Sequence, residues 1–207
     1  FYPYEELNGK YIIGEDPSDN ELGLTEEQLN EHLLTVSMTG RGKTTLHYNL
    51  IDTFLEQNLP FMIFDFKNDY RHLTQKHNDL LVINWKDLKF NPLKPPPGVN
   101  PDQWGEIVAD IFSHATDLLI GSESYFLEKL KEIYDLYNVT GKPERYPSLY
   151  ELKDLVQYDG IHPASPKFKY MERVHSRLTI MTGFPGQIFH CSTGYPIEDL
   201  LNKNVVI

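Results

Sequence analysis

Lys43 and Thr44, set behind two glycines, are the residues whose types and spacing most clearly suit chemistry. Residues 37–45 read Ser37-Met38-Thr39-Gly40-Arg41-Gly42-Lys43-Thr44-Thr45. Against the phosphate-loop pattern G-x-x-x-x-G-K-[ST], the chain matches at Gly42, Lys43 and Thr44, with Ser37 where the first glycine belongs. Each residue type answers a physical need. The first N–H groups of a helix lack internal partners, and the aligned peptide dipoles place roughly half a positive charge there. Gly40 and Gly42 let the backbone curl until successive N–H groups converge on phosphate oxygens. Lys43 adds a mobile charge for the outer phosphates, and Thr44 offers a hydroxyl to Mg²⁺. The nucleotide-contacting set read from this run is Thr39, Gly40, Arg41, Gly42, Lys43, Thr44 and Thr45.

The neighbouring elements must hold that loop. Upstream, His32-Leu33-Leu34-Thr35-Val36 is an apolar run of strand length; downstream, Leu46, Leu50, Ile51, Phe54 and Leu55 recur at helical spacing. Strand, loop and helix are the context the motif requires. Further strands are expected at Tyr11–Ile13, Phe61–Phe66, Leu80–Trp85, Gln187–Cys191 and Val205–Ile207. Most are apolar throughout, as in parallel strands covered on both faces. Asn100 before Pro101 marks a helix start, Ser148-Leu149-Tyr150-Glu151 is a capping box, and Ser165-Pro166 opens another helix. Alternating strands and helices from 32 to 90 predict an α/β fold with a mostly parallel sheet. Helices without strands from 100 to 182 predict a helical insertion. The expected organisation is an acidic lead-in (1–31), a first part of the core (32–99), the helical insertion (100–182) and a return to the core (183–207). Asn91-Pro92-Leu93-Lys94-Pro95-Pro96-Pro97-Gly98 reads as a semi-rigid connector.

Net charge of −11 over 207 residues argues against a surface that coats nucleic acid broadly. The charge is uneven: residues 1–35 hold nine carboxylates against Lys10, a net −8. Nucleic acid binding would need a local track such as a central pore. No apolar run approaches the roughly 20 residues of a membrane span. A single cysteine, Cys191, excludes an internal disulfide and suits a reducing, cytoplasmic setting. The eight histidines show no metal-ligand spacing.

Together these pieces resemble the HerA/FtsK branch of P-loop ATPases, HerA-like central domains most closely. That branch reads H-x-L-(x)-x-G-x-T-G-S-G-K-[ST]-T, and residues 32–45 follow it except at Ser37 and Arg41. The branch's D-x-K-G-[ED]-Y motif is matched at Asp65, Lys67, Asp69 and Tyr70, with Asn68 in place of glycine. Asn91-Pro92-Leu93 is similar to its N-P-L. The likeness is strong over about 10–90 and looser beyond.

The resemblance implies a P-loop NTPase fold (RecA/ASCE-like, three-layer α/β/α) with ATP and Mg²⁺ as cofactors. It implies a homo-oligomeric ring, a hexamer, passing DNA through a central channel, with a nuclease or phage-defence effector as a further partner. The final strand toward Ile207 is similar to the approach to the branch's second acidic motif, whose carboxylate is expected beyond Ile207. Asp65 either assists Mg²⁺ through water or caps a turn. Arg173 and Arg177, four apart, are either arginine fingers acting on a neighbouring subunit or a salt-bridged outer face. Arg41 either touches phosphate or a neighbour, or faces solvent. The alternatives in function are a conjugation- or secretion-type ATPase, a degenerate nucleotide-binding scaffold, for which Ser37 speaks, and, more remotely, a small-molecule kinase.

Overall fold

The computed structural model describes residues 6–183 and 187–207. Glu5 of the acidic lead-in and residues 184–186 of the returning segment lie outside the described residues. Two compact units divide the chain: residues 1–83 with 197–207, and residues 84–196. The second is wider than the 100–182 insertion expected from helix patterns, because the proline-rich connector and residues 187–196 pack within it.

The first unit opens with an antiparallel hairpin, β1 (Tyr11–Glu15) and β2 (Glu21–Leu24), with a bulge between Ile12 and Gly14. Its turn is set by Asp16, whose Oδ1 accepts from the Ser18 and Asn20 N–H groups at 2.6 and 2.9 Å. Helix α1 (Glu26–Leu29) follows in a capping box made by Thr25 and Gln28. Helix α2 (Lys43–Glu56) buries Leu50 and Ile51. Phe54 on α2 meets the buried Tyr11 ring edge-on at 5.9 Å, which ties hairpin to helix. Strands β3 (Met62–Ile63), β4 (Leu80–Val82) and β5 (Asn204–Val206) form a parallel sheet in the order β3-β5-β4. The chain's last described strand is therefore the middle one, and Val205 and Val206 are fully buried. Ile51, Leu73, Leu80 and Val206 form the core around it.

Two expected strands are absent. Residues 33–36 form no strand, and Leu34 and Val36 are 84% and 79% exposed. An apolar run becomes a strand only where a neighbour completes its hydrogen bonds, and none among the described residues does. Residues 187–191 form a short turn instead, held to the connector by Phe90 N–H donating to Ile188 O at 2.9 Å. Strands β3 and β4 are also shorter than Phe61–Phe66 and Leu80–Trp85; Phe64 and Phe66 are exposed.

The second unit is helical: α3 (Pro101–Thr116), α4 (Ile120–Leu136), α5 (Leu149–Gln157) and α6 (Phe168–Thr182). Helix α7 (Ile197–Leu201) belongs to the first unit. Phe112 and Phe126 stack at 4.1 Å within one continuous core. Asn91 pins the connector into it. Its side chain, 3% exposed, donates to Pro147 O and Ser192 O and accepts from Leu93 N–H. Tyr134 Oη and Trp104 Nε1 then satisfy the carbonyls of Leu93 and Pro92.

The α5 capping box forms as expected, with Glu151 closing on Ser148 N–H at 2.7 Å. Burial opposes ionisation of Glu151. Hydrogen bonds from Arg145, Tyr137 and Ser148 outweigh it and bring the carboxyl from 4.5 to about 2. A depressed folded value stabilises above the unfolded value and is lost as pH falls through the folded one. The helical unit should therefore lose stability between about pH 4.5 and about pH 2, and Glu151→Gln should flatten that stretch of the unfolding profile. Ser148→Ala should cost about 1 kcal/mol in chemical denaturation.

Candidate functional site

The loop before α2 depends on two backbone conformations that side chains resist. Gly40 and Gly42 have φ of +78° and +83°, and a Cβ at either would meet open space. The restriction is thus dihedral rather than steric crowding. Ser37 is not among the positive-φ residues. The site can lack its first glycine without backbone strain, which removes the physical argument for a weakened loop at that position.

Gly42 is the N-cap of α2, and no side chain caps the helix. The first-turn N–H groups therefore open toward the loop with no side-chain acceptor. Lys43 Nζ lies against its own loop, donating to Ser37 O at 2.5 Å and Met38 O at 3.4 Å. Arg41 N–H closes a turn on Met38 O at 3.2 Å. Thr39 and Arg41 are exposed, and Thr44 is half-buried. The hydroxyls of Thr44 and Thr45 make no hydrogen bond among the described residues. Uncapped N–H groups, a lysine held only by carbonyls and a free hydroxyl form a donor set suited to a polyphosphate and its metal. The residues present fit the group.

The Asp65–Tyr70 motif folds into a turn beside this helix. Asp65 is 9% exposed, and its carboxylate accepts from the N–H groups of Lys67, Asp69 and Tyr70 at 3.3, 3.0 and 3.0 Å. Of the two roles open to Asp65, the cap is therefore filled. Asn68 has φ +61°, the left-handed region, at the position where the resembled motif has glycine. Asparagine is the side chain that tolerates this best. Two bonds join the turn to α2: Tyr48 Oη donates to Asp69 O at 2.7 Å, and Tyr70 Oη pairs with His47 Nδ1 at 3.0 Å. Burial first, with Asp69 and Asp65, holds the Tyr48 phenol above its ordinary value, and burial followed by Tyr48 and the same carboxylates does so for Tyr70, so both stay protonated. His47 and Tyr48 were not legible as site residues; their signal was only their place one turn beyond Lys43 and Thr44.

Arg173 and Arg177 belong to the helical unit. With Lys169 they line a cleft of about 780 Å³ beside Leu118 and Leu119. Neither arginine makes an ion pair among the described residues, so the salt-bridged face does not form.

The family described as "Helicase HerA, central domain" matches residues 13–205. The structure of VirB4 of Thermoanaerobacter pseudethanolicus is similar, with a TM-score of 0.71 and 17% identity. The match covers 96% of this chain and 56% of that one, so the chain spans little more than half of VirB4. No curated protein matches the chain significantly.

Lys43→Ala should lower ATP affinity by about a hundredfold or more with unchanged circular dichroism, since charge-assisted phosphate bonds are lost and no cavity forms. Isothermal titration checks this; retained affinity would reject the site. Asp65→Ala should cost about 3 kcal/mol of stability in metal-free, nucleotide-free protein, because three N–H groups lose a charged acceptor.

Proposed function

The chain belongs to the family of the HerA helicase central domain, and from that premise we propose that it is the ATP-binding part of a motor ATPase. The reading rests on one observation above the others, the uncapped first turn of α2 behind Gly40 and Gly42. In this reading the fold is a P-loop NTPase of the RecA/ASCE-like, three-layer kind. Bound ATP supplies a terminal phosphoryl group whose transfer to water drives the motor, with Mg²⁺ neutralising charge. Lys43 exchanges its two carbonyl partners for phosphate oxygens. The N–H groups from Gly40 to Thr45 orient the phosphates, with Thr39 and Arg41 at the rim. Thr44 would hold Mg²⁺ by its hydroxyl, and Asp65 would support it from outside its direct ligands, the metal supplying charge neutralisation.

The motor is read as a homo-oligomeric, cytoplasmic ring, a hexamer, that translocates DNA, with a nuclease or defence effector as partner. No helix among the described residues is long and apolar enough to cross a membrane. The family's description as a helicase favours DNA as the cargo. The alternative, a conjugation- or secretion-type ATPase moving protein, is also compatible with the family and with the fold shared with VirB4. Completion of each site is assigned to Arg173 or Arg177 of the neighbouring subunit, which are free of competing ion pairs.

DNA should stimulate ATP turnover by the full chain at low salt; absence of stimulation would favour the protein-moving reading, and absence of turnover the scaffold. Replacing the finger, Arg173→Ala or Arg177→Ala, should lower turnover by about a thousandfold while sparing nucleotide binding. Mixing that variant with Lys43→Ala should restore part of the activity, because mixed rings contain intact interfaces. Normal turnover in both arginine variants would move the finger elsewhere.

A further inference from the structure

Charge is distributed over this chain in a way the nucleotide site does not use. Residues 160–197 carry Lys167, Lys169, Arg173 and Arg177 against Glu172 alone, a net +3 inside a chain of −11. Lys167 is paired with Glu128 at 3.1 Å. The other three stand at i, i+4 and i+8 of α6, a row about 12 Å long on one helix face. None of the three has a hydrogen-bond or ion-pair partner among the described residues. Beside them in the same cleft lies Leu119, 65% exposed.

The chemistry of the cleft selects its occupant. Asp117 and Glu172 line it too, leaving a net charge of only +1. A phosphodiester strand would press continuous negative charge against both carboxylates and leave Leu119 in water. A protein segment with discrete carboxylates interleaves with the cations and covers the leucine.

The first unit presents such a segment. Glu15 and Glu21 are direct cross-strand partners at the end of the β1–β2 hairpin, and both are exposed. Like charges directly opposite destabilise a strand pair. Asp19, also exposed, sits in the turn between them at φ +63°. This arrangement is unfavourable in an isolated chain and is relieved by cations from outside it.

We propose that the Lys169–Arg173–Arg177 row of one copy receives the Glu15–Glu21 end of the hairpin of a second copy. The proposal rests on the ring reading above and names its subunit contact. Because the acidic and basic surfaces are different parts of one chain, the contact is head-to-tail, the kind that closes rings. Lys169 and one arginine take the two glutamates, and the other arginine is left for the neighbour's nucleotide, so contact and finger use different residues.

Charge exchange in the full chain tests it, with oligomer mass read by analytical ultracentrifugation in the presence of a non-hydrolysable ATP analogue. The single variants Glu21→Lys and Lys169→Glu should each weaken association by about tenfold or more. Combining the two, a one-for-one exchange that leaves the surfaces oppositely charged, should restore it, and raising the ionic strength should weaken the wild type and the restored variant. Circular dichroism confirms folding of each surface variant. Losses that add without restoration would overturn the pairing. Assembly untouched by any of the substitutions would place the contact elsewhere while leaving the ring reading intact. A wild-type chain that stays monomeric under every condition would overturn both. Loss of single-stranded DNA binding in Lys169→Glu with assembly unchanged would make the row a nucleic-acid contact and overturn the proposal.

Discussion

The left-handed backbone at Gly40 and Gly42 is the constraint on which the candidate site depends. It turns the chain so that α2 begins at Lys43 with no side chain over its first turn. A side chain at either glycine would meet no neighbour, so the selection acts on φ alone. The starts of α1, α3 and α5 are closed by Thr25, Asn100 and Ser148, whereas α4 and α6 also lack a side-chain cap but have no left-handed glycine at the N-cap. At α2 the open end leaves donors for an anion, and the energetic cost of leaving them unpaired is low while the loop is exposed to water.

An open helix end is useful only if the helix is held. Here the holding is done by short polar contacts rather than by area alone. Asp65 organises residues 66–70 through three N–H groups, and that turn grips α2 through Tyr48 and Tyr70. Asp65 N–H in turn donates to Ile207 O at 2.8 Å, next to the buried middle strand β5. The chain of contacts runs from sheet to turn to helix. It offers a physical route by which events at the first turn of α2 are felt at the sheet.

The helical unit solves a different problem. Its connector carries prolines that cannot donate, so the carbonyls of Pro92 and Leu93 are met by Trp104 and Tyr134, and Asn91 closes the remaining gaps. Lys129 is buried against Asp159 and Glu132, with Tyr125 also donating to Asp159. Every cation in that interior is answered. The unanswered row on α6 stands out against it.

Much of this was legible from residue types alone. The glycine turn before α2, the Asn100 and Ser148 caps and the apolar strands β3, β4 and β5 each follow from local rules: backbone freedom, side-chain reach and unbroken apolar runs. The helices α3 to α5 appear within a few residues of where their caps and periodicity put them. What the sequence could not decide was anything that needs a second segment to exist. Residues 33–36 and 187–191 are apolar enough for strands, yet a strand is a property of a pair, and no described neighbour pairs with them. The hairpin partner β2 went unread because Glu21-Leu22-Gly23-Leu24 has no strand-like composition and gains its order from Tyr11 to Glu15 across from it. The capping contacts of Asp65 became visible only when the fold brought three N–H groups to its carboxylate. Local chemistry is written along the chain, and pairing is written only in three dimensions, where distant groups compete for the same hydrogen bonds.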